Sequence, residues 1–192
     1  MTDFSDKVTL VTGAGRGIGR HIAEAFASQG AVVAANDITP INLDETVQRI
    51  TSAGGRARAY IFDVAKRMPV QAMVDQVLED WGRIDILVNN AGVEPHASIL
   101  DMDEWDWHRT LDVNLSGPFF AMQHVGRAMR QRGTRTCSTN ERTVGSGKGA
   151  TQRSTSPSPK VGLPRTGRRS RSRMLYPTYH QGFTEPSSFR RA

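Results

Sequence analysis

Over its first 133 residues the chain alternates between two kinds of apolar pattern, and after Gly133 it shows neither. Short runs at Lys7–Thr12, Ala31–Asn36, Ala57–Phe62 and Ile84–Val88 have strand length. Ile84–Val88 is almost wholly apolar, as expected of a strand covered on both faces. Between them lie stretches with helical period. Residues 17–29 carry Ile18, Ile22, Ala25 and Phe26 on one predicted face, with Gly30 as the stop. Residues 40–53 follow Thr39 as cap and place Pro40 at the first helical position. Residues 69–81 bring Val70, Met73, Val74, Val77, Leu78 and Trp81 together at three- and four-residue spacing. A last helical region, from Asp103 to Arg132, is predicted to bend near Asn114 and Pro118. Strands alternating with helices predict right-handed crossovers, hence an α/β fold with a doubly wound parallel sheet in the strand order 3-2-1-4.

Composition divides the chain at the same place. Residues 1–133 hold 13 Lys+Arg against 17 Asp+Glu, a net charge of −4, whereas residues 134–192 hold 12 against 2, a net of +10. The second segment has ten Arg, nine Ser, nine Thr and five Pro but only four Leu, Ile or Val. Too little apolar surface is available there to offset chain entropy, so a disordered basic tail is expected after an incomplete folded domain. Gly145-Ser146-Gly147-Lys148-Gly149 lacks the strand, the spacing and the hydroxyl residue of a phosphate loop and is treated as coincidence. The tail has no aromatic interleaving, which argues against specific nucleic-acid binding. One cysteine, Cys137, excludes an internal disulfide framework. The amino-terminal residues do not resemble a signal peptide, and no apolar run has the length of a membrane span, so a cytoplasmic protein is expected.

The chemistry-bearing stretch is Thr12-Gly13-Ala14-Gly15-Arg16-Gly17-Ile18-Gly19, between the first strand and the first helix. Glycines let a backbone approach phosphate oxygens closely, and the helix beyond offers unpaired N–H groups and its positive dipole end. Asp37 closes the second strand, 24 residues after Gly13. A carboxylate there can accept hydrogen bonds from adenosine ribose hydroxyls and repel a 2′-phosphate; the plainer role is to start a turn. Arg16 pulls the other way, since a guanidinium in the turn could pair with that phosphate. The carboxylate is expected to dominate, favouring NAD over NADP. Asn89-Asn90-Ala91-Gly92 ends the fourth strand beside the glycine turn, with small residues that leave room for a flat ring and amides that can tie strands together.

On these motifs residues 1–133 resemble the short-chain dehydrogenase/reductase family, in general character similar to 3-oxoacyl-[acyl-carrier-protein] reductases. The glycine turn matches the family's cofactor signature. Asp63-Val64 matches its adenine-contacting pair, Asn90-Ala91-Gly92 lies in its Asn-Asn-Ala-Gly motif, and Asn114 matches the helix asparagine of its catalytic group. The resemblance implies a Rossmann-like fold, an NAD(P)-dependent interconversion of a small alcohol and ketone, no metal, and the homotetramers common in the family.

It also implies a catalytic Ser and a Tyr-x-x-x-Lys, in which Tyr is the general acid/base and Lys lowers its pKa. Here no tyrosine lies between Tyr60 and Tyr176, and neither Tyr176 nor Tyr179 is followed by Lys at the fourth position. Thr155, Ser156 and Lys160 stand near the expected place, and Ser138 and Ser146 match the serine by position only. The expectation is a frameshifted or truncated family member that keeps its cofactor half, with the Ile84–Val88 strand left as an open sheet edge. The alternative is a non-catalytic nucleotide-binding protein whose basic tail attracts polyanions. His96, in a loop, is expected to be simply solvated.

Overall fold

The computed structural model describes residues 3–132 and 137–139. Strands β1 (Val8–Thr12), β2 (Val32–Asp37), β3 (Arg56–Ile61), β4 (Ile86–Asn89) and β5 (Cys137–Thr139) form one parallel sheet in the order β3-β2-β1-β4-β5. Helices α1 (Gly17–Ser28), α2 (Pro40–Ser52), α3 (Arg67–Trp81), α4 (Glu104–Leu111) and α5 (Gly117–Arg132) connect them. The expected doubly wound α/β architecture is the observed one, and its strand order reverses beside β1.

Alternation along β1 divides the core in two. Val8 and Leu10 face a cluster built with Val70, Met73, Val74 and Val77 of α3 and Ala121, Val125 and Met129 of α5. Val11 faces the other, with Ala23 and Ala27 of α1 and Leu43 and Ile50 of α2. Both faces are therefore sealed, which is why β1 and β4 read as continuous apolar runs.

The polar ties at the sheet margin are few and specific. Tyr60 of β3 is buried, yet its hydroxyl donates to Asp80 (2.7 Å) and accepts from the Trp81 indole (2.8 Å), fastening β3 to α3. Burial, with the Asp80 carboxylate beside it, pushes the Tyr60 phenol far above its usual range. Asp85 accepts the Val8 N–H (2.9 Å) and pairs with Arg83, so the start of β1 is held by the turn before β4.

Four expectations are corrected. First, the face of α1 against the sheet is Gly19, Ala23 and Ala27, flanked by Ile22 and Phe26, whereas Ile18 is 58% exposed and Ala25 lies outside. Small residues win there because the helix backbone lies close to β1. Second, Thr39 occupies the cap position of α2 but its side chain makes no cap bond. Third, the last helical region is two helices joined by a π turn, Asp112–Ser116. The disruption falls at the predicted position and takes the form of one wide turn just before Pro118, which has no N–H to donate to the Asn114 carbonyl four residues back. Fourth, β4 is not left open, because Cys137–Thr139 pair with it in parallel, Ser138 opposite Val88. A three-residue strand needs no apolar alternation of its own, so its sequence carried no strand pattern. The expected disordered tail, Ser146, the Gly145–Gly149 stretch, Thr155, Ser156, Lys160, Tyr176 and Tyr179 lie outside the described residues.

Candidate functional site

A crevice of about 270 Å³ opens at the carboxyl ends of the strands. β1, β2 and β3 feed it with Gly13, Asp37 and Asp63, and β4 with Asn90, Ala91 and Gly92. Val64, Arg16 and Arg109 complete its polar and apolar margins. Gly13, Arg16, Asp37, Asp63, Val64, Asn90, Ala91 and Gly92 were thus brought together as their positions in the sequence predict. Gly17 was expected to line the same crevice and does not. It begins α1 with φ +56°, and a Cβ on it would meet nothing within 4 Å, so glycine is needed there for the bend alone.

The remaining residues of the motif build the turn. Thr12 Oγ1 accepts the N–H groups of Asn90 (3.0 Å) and Ala91 (3.1 Å), joining β1 to the end of β4. The Asn90 amide donates back to Thr12 O (3.0 Å) and Gly13 O (3.1 Å), the strand-tying role its position predicts. A Cβ on Gly19 would overlap the Gly13 carbonyl and the Asn90 amide, so this last glycine of the motif permits close helix–strand approach. Ala14 N–H donates to Asn36 O (2.8 Å), fixing the turn to β2. Ile18 lies exposed beyond it.

Asp37 does two jobs that appear separate in the sequence. Its Oδ1 accepts the Thr39 N–H (3.0 Å), which is the ordinary turn role. Its Oδ2 accepts the Gly15 N–H (2.9 Å), which ties the glycine turn to the end of β2. Asp63 similarly accepts the Ala65 N–H (3.0 Å) and pairs with Arg109 (3.3 Å). Asn114 lies outside the crevice lining: its Oδ1 accepts the Val93 N–H and its Nδ2 donates to Val93 O, both at 2.9 Å. This reciprocal pair mimics a strand ladder and pins the loop after Gly92 to the π turn. Glu94 and His96 are exposed, as expected for His96.

Several participants were not singled out by the sequence. Asn36 is buried and donates to Tyr60 O (2.9 Å) and Phe62 O (3.0 Å), carrying the β2–β3 pairing past its end. Arg20 and Thr46 grip the glycine turn from α1 and α2, and Arg109 reaches Asp63 from α4. Arg20 and Arg109 read as solvated helix charges, and only the sheet order shows which turns they reach. Arg20, by bonding to it, holds the Glu45 carboxyl below the usual carboxylate range.

The residues present fit a dinucleotide. The first turn of α1 receives no hydrogen bond from its cap side chain, so its N–H groups remain for an anion. The cavity falls just short of the roughly 300–1,000 Å³ of small-molecule pockets.

A sequence profile described as short chain dehydrogenase matches residues 7–139. The chain belongs to the short-chain dehydrogenase family. Family relatives include an uncharacterized oxidoreductase of Thermotoga maritima, 46% identical over 132 residues, covering 68% of this chain and 51% of that protein. A 3-oxoacyl-[acyl-carrier-protein] reductase, FabG, from the same organism is 41% identical over 119 residues, covering 62% and 48%. Among solved family structures, NAD+-bound xylitol dehydrogenase superposes with TM-score 0.69 at 34% identity, covering 72% of this chain and 54% of that one. A metagenomic short-chain oxidoreductase in complex with NADP gives 0.68 at 32% identity, covering 70% and 62%. The chain spans about half the length of the curated relatives it matches. Among the described residues, no helix is long and apolar enough to cross a membrane.

Proposed function

We propose that this chain is the dinucleotide-binding part of an oxidoreductase that interconverts a small alcohol and ketone, and that it prefers NAD to NADP. The observation that carries the reading is Asp37. Its carboxylate stands at the rim of the crevice, oriented by the Gly15 and Thr39 N–H groups, beside a helix start with free donors. In this reading Gly13, Gly15, Gly17 and Gly19 shape the pyrophosphate turn, with the flanking Thr12, Arg16 and Ile18. Asp37 takes the ribose hydroxyls, Asp63 and Val64 the adenine, and Asn90, Ala91 and Gly92 the nicotinamide side. Bound NAD supplies hydride acceptance; the residues of this chain bind and orient it. Asn114 holds the wall formed by the loop after Gly92.

The sequence offers no Tyr-x-x-x-Lys, so the chain as written is expected to bind cofactor with little or no turnover. Losing a positioned general acid/base costs roughly 10²–10⁴-fold in rate. We attribute the change of composition near Gly133 to a shift of reading frame, with 1–133 as the dinucleotide-binding unit and 134–192 as the out-of-frame segment, whose residues Cys137–Thr139 nevertheless add an edge strand to the sheet and fall within the family match. The other two frames of the gene after codon 133 should then encode a Ser and a Tyr-x-x-x-Lys; their absence from both refutes the shift.

The cofactor test is Asp37→Ala. It removes two acceptors and a repulsive charge, and a hydrogen bond to a charged group contributes about 1.5–3 kcal/mol, so NAD affinity should fall about tenfold or more. NADP affinity should not fall with it. An unchanged NAD/NADP preference would leave Asp37 as a turn residue. Saturable NAD binding without reduction by a panel of secondary alcohols is expected of both readings, so the gene decides between them: a Ser and a Tyr-x-x-x-Lys in another frame support the oxidoreductase, and their absence the non-catalytic nucleotide-binding protein.

A further inference from the structure

Two residues beyond β3, Asp63 is engaged through both oxygens. Its Oδ1 accepts the Ala65 N–H (3.0 Å), a bond within its own turn, and its Oδ2 accepts Arg109 Nη1 (3.3 Å) from α4. A carboxylate has about four lone-pair sites, so accepting capacity remains on each oxygen. Asp63 and Arg109 both line the crevice.

The guanidinium is delivered by a sparsely anchored helix. α4 buries no side chain fully, and among the described residues the Arg109–Asp63 bond is the one side-chain hydrogen bond it makes beyond itself and its cap. The stretch after α4 packs on the same segment. Val113 shares a core cluster with Val64, and a Cβ on Gly117 would stand 3.0 Å from Val64 O and 3.4 Å from Val64 Cγ2. Arg109, Val113 and Gly117, four residues apart, therefore back the Asp63-Val64 wall of the crevice as one seam. Val113 and Gly117 supply contact, and Arg109 supplies charge.

The pair is poorly placed to stabilise the fold by itself. Its side chains are 29% and 21% exposed, and ion pairs with such access to water contribute little. A ligand seated over both groups would exclude that water and strengthen the pair.

We propose that Arg109 is a positioning residue for the base of the dinucleotide: from α4 it holds the Asp63 carboxylate with its remaining lone pairs toward the crevice, where they accept a purine amino group. The inference rests on the cofactor reading above. Without the guanidinium, Asp63 keeps the bond to Ala65 alone, and its Oδ2 is no longer fixed in direction.

The experiment titrates the full chain by fluorescence with NADH and with reduced nicotinamide mononucleotide, which lacks the adenosine half. The proteins are wild type, Arg109→Met, Arg109→Lys, Asp63→Ala and the double variant Arg109→Met/Asp63→Ala, with a thermal melt of each. Arg109→Met should lower NADH affinity by about fivefold and leave the mononucleotide unchanged. Arg109→Lys, which keeps a cation in reach of Asp63, should recover most of the loss. In the Asp63→Ala background Arg109→Met should cost nothing further. A loss that persists in that background means that Arg109 acts on the ligand directly, and it overturns the inference. NADH affinity unchanged in Arg109→Met but lowered in Asp63→Ala overturns the inference alone. Equal losses for both ligands, tracking a lowered melting temperature, mean a purely structural pair and also overturn it. Should Asp63→Ala not fold, the Lys and Met variants decide: equal NADH affinities overturn the inference. Wild-type protein that does not bind NADH, or an Asp63→Ala affinity equal to wild type, overturns the cofactor reading itself.

Discussion

At the carboxyl ends of β1 and β2, buried polar side chains are bonded to main-chain groups: Asn36 to two carbonyls, Thr46 to Ala14 O, Thr12 to the start of the Asn90-Ala91 segment. From the middle of β1 through β4 to α5 the situation differs. Thr9 Oγ1, Arg83 Nε, Asn89 Nδ2 and His124 Nε2 are buried without a hydrogen-bond partner among the described residues. An unmet buried donor or acceptor costs about 1–3 kcal/mol, so these four atoms are places where an apolar group of the same shape should cost little. The glycine-turn region is a finished polar frame, and the β4–α5 flank is held mainly by apolar packing. Dinucleotide affinity should therefore depend on the first and stability on both.

The sharpest way to break the contrast is Gly19→Ala, which forces a methyl into the Gly13 carbonyl and the Asn90 amide. Overpacking typically costs about 1–3 kcal/mol, and here the methyl meets main chain, so the loss should lie at or beyond the upper end and a melt should show loss of cooperative folding or a large fall in Tm. Asn114→Ala attacks the other region, leaving Val93 with neither of its side-chain bonds. Urea unfolding should register a loss of about 1–3 kcal/mol, and NADH affinity should change less than in Asp37→Ala. Equal losses of affinity would erase the distinction.

Thr9→Val should go the opposite way. The hydroxyl is fully buried and unpartnered among the described residues, so an isosteric methyl should be neutral or stabilise by about 1 kcal/mol, read from the urea midpoint. The smallest expected effect is a pH slope. Burial, with Arg127 and Arg67 nearby, holds the His124 imidazole below its ordinary pKa, against a weaker opposing pull from Asp75. The unfolded chain then binds the proton more readily, so stability should fall as pH drops below about 6.5 and be flat above it. His124→Gln should flatten the Tm profile between about pH 5 and pH 7.

Fold and site were not equally legible in the sequence. Strands sealed on both faces announce themselves, because Val8–Thr12 and Ile86–Asn89 have few polar positions to confuse the pattern. The crevice residues were legible for a related reason: glycines, Asp37 and the Asn-Asn-Ala-Gly segment all fall at strand ends, where parallel topology must converge them. Arg20, Thr46 and Arg109 were not, since each acts across a helix–turn contact that no local spacing encodes. Burial on α1 was misjudged because hydrophobicity favours Ile18, whereas close approach to β1 favours Gly19 and Ala23. Residues 135–139 can extend and pair but carry too few apolar side chains to predict a strand packed on both sides; membership in the sheet is conferred on Cys137–Thr139 by a neighbour, here β4.

The π turn at Asp112–Ser116 has a consequence of angular phase. Each residue advances an α-helix by about 100°, and a wide turn absorbs one residue that a continuous helix would have counted. α4 buries no side chain fully, so it tolerates rotation, but the Ala121–Val125–Met129 stripe of α5 must face the α3 side of the core. Asn114 meanwhile is pinned to Val93. Deleting a single residue between 112 and 116 would remove the absorbed residue and leave a regular helix with the α5 stripe still on the core, whereas the same deletion later in α5 would swing the stripe beyond it by about 100°. The wide turn is thus a phase-neutral insertion, and what its removal puts at stake is the place from which Asn114 reaches Val93.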